Sequence, residues 1–340
     1  MLVLRPVEPT DLLQLQQLAR DSLVGVTSLP DDSEHLREKI ADSCASFKSA
    51  ASANESRPEN YFFVLEDLER QRLVGCSEIL ATAGFDEPFY SLRNRQFTSA
   101  SRELNIEHGV PALSLCHDLS GHTLLRGFHL DAALTRSPFA ELLSRARLLF
   151  IAAHGQRFAE AVITEIVGYS DENGHSPFWD ALGKHFFDLP YAEAERLCGL
   201  QSRTFLAELM PQYPIYVPML PQEAQDCIGR IHPDGQEAFD ILEREGFETN
   251  SYIDLFDAGP TLYARTANIR SIAHSQTVTV HIQAQIDARG LYLLSNERLQ
   301  GFRAMVAELE HQPDQPLALT PALSAALEVT DGDTIRMIAL

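Results

Sequence analysis

The spacing of apolar residues changes period several times along the chain, and the changes mark out its elements. Leu2-Val-Leu-Arg-Pro-Val reads as a strand, and Thr10-Asp-Leu-Leu-Gln-Leu-Gln-Gln-Leu as a helix with Thr10 as its N-cap. A second helical stretch runs from Glu34 to Lys48, and the Ser- and Asn-rich segment from Ala50 to Asn60 reads as a loop. Two strand signals follow, Tyr61–Leu65 and Leu73–Leu80, joined by the charged turn Glu66–Arg72. Leu124–Leu130 is the next strand, with a glycine at its centre. The stretch from Pro138 to His154 has the 3.6-residue apolar period of a long helix through Phe139, Leu142, Leu143, Ala146 and Phe150. The β-branched run Ala161–Gly168 and a short helix from Ser176 to Gly183, with serine as N-cap and proline in its first turn, repeat the strand-then-helix order. From about Asn268 the character shifts to Thr/Val/Ile-rich strand runs, Thr277–Ile282 and Thr334–Ile338, with Gly and Asp turns between them.

Between these regions lies Ile228-Gly-Arg-Ile-His-Pro-Asp-Gly-Gln-Glu-Ala-Phe-Asp-Ile-Leu-Glu-Arg-Glu-Gly246-Phe247. Asp234 and Glu237 have capping-box spacing, and Ala238, Ile241 and Leu242 form an apolar stripe. Gly246 stands where a helix would end in the left-handed conformation. His232 therefore sits on the lip between a short apolar run and a capped helix, a place suited to proton transfer. A histidine beside an apolar run is, taken alone, more often a hydrogen-bonded structural residue.

Composition narrows the classes. A chain of 340 residues, 45% hydrophobic and 22% charged, can bury a substantial core and is long enough for two domains. Its formal net charge of -21 disfavours nucleic acid and anionic membranes as partners, and mildly favours small cationic substrates. No run of about 18 apolar residues occurs, and the first residues carry no leader pattern, so the expected location is cytoplasmic. The cysteines, Cys44, Cys76, Cys116, Cys198 and Cys227, are odd in number and widely spaced. They read as reduced thiols rather than as disulfides or a zinc site. A GxxxxGK[ST] phosphate loop, a GxSxG elbow, an HExxH pair and a CxxC pair are all absent, so no metal is expected.

What remains is a β-α opening, a hairpin, a glycine-bearing strand, a long helix directly after it, and a further strand and helix. That order resembles the acyl-CoA-dependent N-acyltransferase superfamily. The fold class it implies is α/β (α+β), a GNAT-like mixed sheet flanked by helices, over residues 1–265, with a small β-rich C-terminal domain over 266–340. Gly127 marks either a bulge where a ligand or another backbone comes close, or a relief of crowding under a helix.

More specific motifs are Leu29-Pro30, Glu103-Leu-Asn105, Leu142-Leu-Ser-Arg-Ala-Arg147, Ser176-Pro-Phe-Trp179, Leu182-Gly-Lys-His-Phe-Phe187, Ala207-Glu-Leu-Met-Pro211, Ile228-Gly-Arg-Ile-His-Pro233 and Tyr252-Ile-Asp-Leu-Phe-Asp-Ala-Gly-Pro260. Together they resemble the arginine N-succinyltransferase family, most strongly through Pro260. The resemblance implies succinyl transfer from succinyl-CoA to the α-amino group of L-arginine, with L-ornithine as a further acceptor. It implies no permanently bound cofactor, and a hetero-oligomer with a related beta chain. His232 is placed as the acid that protonates departing CoA. The succinyl-CoA contact falls on Phe128, with Gly127 and Leu130 beside it on the same strand. Glu165, Asp254 and Asp257 are carboxylates that could meet the guanidinium of arginine.

The resemblance has one departure. Acyltransferases of this superfamily follow the central strand with a glycine-rich loop whose backbone N–H groups cradle the CoA pyrophosphate. Here the stretch reads Thr135-Arg-Ser-Pro-Phe-Ala140, without glycine and with a proline that removes a donor. Arg136, Arg145 or Arg147 could compensate with side-chain charge. Two further readings follow from this departure: a non-catalytic assembly or binding subunit that supports a catalytic beta chain, and an arginine sensor.

Overall fold

The computed structural model describes residues 1–20, 29–49, 59–200, 208–313 and 315–340. Its strands, among the described residues, are β1 (Leu2–Pro6), β2 (Asn60–Asp67), β3 (Arg72–Leu80), β4 (Ser91–Ser101), β5 (Ile106–Cys116), β6 (Thr123–Leu130), β7 (Ala161–Glu165), β8 (Ile215–Tyr216), β9 (Glu248–Ile253), β10 (Pro260–Arg265), β11 (Gln276–Ile282), β12 (Gly290–Asn296), β13 (Ala304–Leu309), β14 (Leu317–Leu319) and β15 (Thr334–Ala339). They form one mixed sheet in the order β14-β11-β15-β12-β13-β1-β2-β3-β6-β7-β10-β9-β4-β5-β8. The helices that cover its central strands are α1 (Leu12–Arg20), α2 (Ser33–Lys48) and α3 (Pro138–Ala153).

Strand β2 shows why the sheet is covered on both faces. Tyr61, Phe63 and Leu65 point into one apolar cluster with Phe150 and Leu143 of α3, while the alternate Phe62 and Val64 point into another with Leu15 of α1 and Ile40 of α2. A strand buried on both faces reads as a continuous apolar run, as Tyr61–Leu65 does. The α3 helix lies across the middle of the sheet, with Leu142, Leu143, Ala146 and Phe150 all buried. A third cluster, built on Trp179 stacked on Phe256 at 5.1 Å, fixes the segment between β7 and β9 against β4 and β5.

The expected β1, β2–β3 hairpin, β6, α3 and β7 are all formed, and the short helix occupies Pro177–Ala181 with Ser176 accepting from the Trp179 N–H at 3.2 Å. Thr10 is not an N-cap, however. A 3-10 turn over Pro9–Asp11 precedes α1, and Asp11 accepts from the Glu8 N–H at 2.8 Å while Arg5 pairs with its carboxylate. The loop expected over Ala50–Asn60 lies mostly outside the described residues, as does Ala207 of the motif Ala207–Pro211. The long β4–β5 hairpin had no counterpart among the expected elements.

The strands beyond residue 275 do not stand apart from the sheet. Strand β13 pairs with β1 at Leu4↔Ala304, so β11 to β15 extend the sheet past its first strand. No helix among the described residues is long and apolar enough to cross a membrane.

Candidate functional site

Strands β6 and β7 run parallel but pair only at Thr123↔Val162 and Leu124↔Ile163. Beyond that point β6 stays with β3 while β7 stays with β10 to its end at Glu165, so the sheet is split at its centre. On β6 the split coincides with a bulge. Arg126 pairs with Glu78 and His129 with Cys76, so Gly127 and Phe128 together face the single residue Ser77. Gly127 has φ +66°, the left-handed conformation that a glycine at the first bulge position takes without a side-chain clash. The bulge alternative for Gly127 is therefore the one the fold adopts.

A cleft of about 1660 Å³ opens at the split. Gly127, Phe128, Leu130 and Glu165 all line it, as do Ile166, Val167 and the turn Pro233–Gly235. Phe128 and Leu130 also pack on the apolar cluster under α3.

His232 is tied to the end of the β7 side. Ile231 bridges Gly168, and the His232 N–H donates to the Val167 carbonyl at 2.9 Å. The ring is not itself among the side chains lining the cleft, but its hydrogen-bonded neighbour Val167 and the next residue, Pro233, are. The expected capping box of Asp234 and Glu237 is not formed. A 3-10 turn, Pro233–Gly235, leads into the helix Gln236–Arg244, and His232 is the N-cap, its Nδ1 accepting from the Asp234 N–H at 3.2 Å. Pro233 has no N–H, which moves the first orphan donor to Asp234, directly over the imidazole. That hydrogen bond assigns the proton of the neutral ring to Nε2, the nitrogen left to act as a donor.

Glu237 is used elsewhere: its carboxylate accepts the Arg136 N–H across the cleft. Ser137 caps α3 by accepting from the Phe139 N–H at 3.2 Å, and the Ala140 N–H bonds the Ser137 carbonyl at 3.1 Å. The first donors of α3 are thus spent within the protein, and the Glu237 carboxylate lies against the loop that leads into it.

Of the three arginines weighed as compensation, Arg136 is exposed at the cleft. Arg145 is buried and paired with Glu245 at 2.8 Å, so it ties α3 to the end of the Gln236–Arg244 helix. Arg147, also buried, donates to backbone carbonyls of Ser144, Glu78 and Arg126, holding the two strands at the bulge.

Asp254 does not join the cleft. Its Oδ1 accepts from the Phe256 N–H at 2.6 Å and the Asp257 N–H at 3.2 Å, so it caps the turn before β10. Asp257 is buried behind it and accepts from the Gly168 N–H at 2.7 Å and the Gly259 N–H at 2.8 Å. A Cβ on Gly168 would come within 2.5 Å of Asp257, so this close approach needs glycine. Burial, with the Asp254 charge beside it, raises the Asp257 carboxyl above its usual range.

The sequence reading missed a charged group in the cleft wall. Glu78 is fully buried on β3, paired with Arg126 of β6 at 2.9 Å and with Lys39 of α2 at 2.7 Å. Burial alone would raise the Glu78 carboxyl, but Arg126 and Lys39 hold it down to about 2. The signal was present: two opposite charges inside otherwise apolar strand runs.

A mixed sheet split between parallel neighbours, bulged on one lip and backed by a long helix after the bulged strand, is a GNAT-like arrangement. Residues 2–271 match the family described as arginine N-succinyltransferase beta subunit, and residues 276–339 the C-terminal domain of the same description. The chain is 57% identical to arginine N-succinyltransferase subunit alpha of Pseudomonas aeruginosa, with all of both chains covered. It is 40% identical to arginine N-succinyltransferase of Yersinia enterocolitica, over all of this chain and 98% of that one. It is also 37% identical to subunit beta of the Pseudomonas aeruginosa protein, over all of this chain and 98% of that one. A solved structure of arginine/ornithine succinyltransferase subunit AI from Pseudomonas aeruginosa superimposes with a TM-score of 0.94 at 54% identity, covering all of this chain and 98% of that one. The chain belongs to the arginine N-succinyltransferase family.

Proposed function

We propose that this chain transfers the succinyl group of succinyl-CoA to the α-amino group of L-arginine, and to L-ornithine as a second acceptor, releasing CoA. The observation that carries the reading is the split between β6 and β7 with the Gly127 bulge on its lip, in a chain of this family. A bulge takes backbone groups out of the ladder. Those of Gly127 and Phe128 would pair with the extended arm of the acyl donor and receive the thioester oxygen as it gains charge. Phe128 and Leu130 would hold the donor's apolar stretch.

An α-amine has a pKa of roughly 8, so the acceptor must lose a proton before it attacks. Attack on the thioester carbonyl forms the amide C–N bond, the C–S bond breaks, and the departing thiolate takes a proton. His232 is assigned that proton transfer, with Nε2 as donor. Its support is the tautomer set by Asp234 and its place against the cleft wall at Val167 and Pro233. The thioester is already activated, so both substrates are bound together and no acyl-enzyme is needed. Glu165, at the cleft, is assigned to the cationic end of the acceptor.

The partner in this reading is a related beta chain. Its support is that relatives named as alpha and beta subunits both align with nearly the whole chain, at 57% and 37% identity. Among the described residues the five cysteines form no disulfide, which fits a reducing, cytoplasmic setting. A second reading, a binding and assembly subunit, is favoured by the occupied donors at the start of α3.

Thiol release from succinyl-CoA with arginine separates the two. The enzyme reading expects turnover by the purified chain and its loss in His232→Gln; the assembly reading expects none until the beta chain is added, and no effect of that substitution on the assembled activity.

A further inference from the structure

Two cations in the wall of the cleft on the α2 side share one carboxylate. Lys39, with a side chain 7% exposed, and Arg126, 34% exposed, both pair with Glu78, which is fully buried. Arg147 lies directly behind them, buried, with its guanidinium on the carbonyls of Glu78 and Arg126 rather than on an acid. Three positive groups thus stand around the Glu78 carboxylate, in a chain whose net charge is -21. Removing such charge from water is costly unless it is paired.

Arg126 is the member of this group that meets the cleft. It gives Nη2 to Glu78, and its Nε is buried without an acceptor among the described residues. Glu38 and Asp42 line the same space, but both are exposed and neither pairs with Arg126. A guanidinium pinned by a buried acid, and with about a third of its side chain exposed at the cleft, is preorganised for a carboxylate.

We infer that Arg126, held by Glu78 and backed by Lys39, receives a substrate carboxylate at this wall. The inference rests on the acyltransferase reading and deepens it. Two carboxylates have the chemistry: the α-carboxylate of the amino-acid acceptor and the terminal carboxylate of the succinyl donor. In either case Arg126 sets specificity by touching substrate, and takes no part in proton transfer.

The test is calorimetry of the full chain with four ligands: arginine, argininamide, and non-transferable thioether analogues of succinyl-CoA and of butyryl-CoA. The wild type is expected to favour the carboxylate-bearing member of one pair by roughly 10- to 100-fold, the range of a charged hydrogen bond. In Arg126→Gln that preference is expected to vanish, and in Arg126→Lys to be partly kept. Loss in the arginine pair identifies the acceptor as the source; loss in the CoA pair identifies the donor. Thermal melting controls for folding, since Glu78 keeps Lys39 in both variants. A wild type with no preference in either pair, or an Arg126→Gln variant that melts normally and keeps the preference, overturns the inference. Failure of the acyltransferase reading shows differently, as absence of thiol release by the wild type while the carboxylate preference in binding persists.

Discussion

His232→Gln keeps a side-chain acceptor near the Asp234 N–H but removes the imidazole. A positioned acid is worth about 100- to 10,000-fold, so steady-state kinetics should show kcat falling within that range with KM for both substrates little changed. A loss confined to KM would mean that the ring only shapes the site. Glu78→Gln acts on stability instead, because it removes the buried carboxylate that Lys39 and Arg126 share. Denaturant unfolding should show about 3–5 kcal/mol lost. The same ion pairs give a pH signature. The Glu78 carboxyl is held at about 2 in the fold, below its ordinary 4.5, so its contribution is present above pH 4.5 and lost as pH falls from there toward 2. Acid unfolding of Glu78→Gln should lack that component. At this scale the sequence placed His232 correctly at a strand-to-helix lip, and read the cap wrongly. Spacing alone offered Asp234 and Glu237 as the box, whereas Pro233 shifts the first free donor onto the imidazole and leaves Glu237 to bond Arg136. Asp254 looked like a guanidinium partner because a one-dimensional reading cannot see that its oxygen already holds a turn.

Among the elements, β6 decides the site. Its bulge depends on a residue at φ +66°, so Gly127→Val should cost about 1–2 kcal/mol in unfolding experiments and abolish binding of an acyl-CoA analogue. Unchanged binding by that variant would remove the bulge from the account. Strands β2, β3, β6 and β7 and helix α3 were legible because each is buried against the core and carries a clean apolar period. The β4–β5 hairpin was not. Its outer half, residues 95–100 on one strand and 106–109 on the other, is exposed, so no apolar alternation marks it. Its pairing is set by register with its own neighbour over Ser91↔Cys116 to Ser101↔Ile106 rather than by burial.

Across the whole molecule, the fold brings together residues spread from Lys39 of α2 to the Pro233–Gly235 turn, and it does so where the parallel strands β6 and β7 separate. Sequence patterns gave the order of elements and, through the family motifs, the reaction. They could not show that β6 and β7 part after a single pair of contacts, that Arg126 and Glu78 face each other across the bulge, or that the start of α3 is closed by Glu237. Those are consequences of register and of long-range contact. The account's central claim is that the split holds the acyl donor. Calorimetric titration of the full chain with a non-transferable thioether analogue of succinyl-CoA tests it directly. One saturable site that disappears in Gly127→Val is the predicted result; a flat titration of the wild-type chain, both alone and with its beta partner, would contradict it.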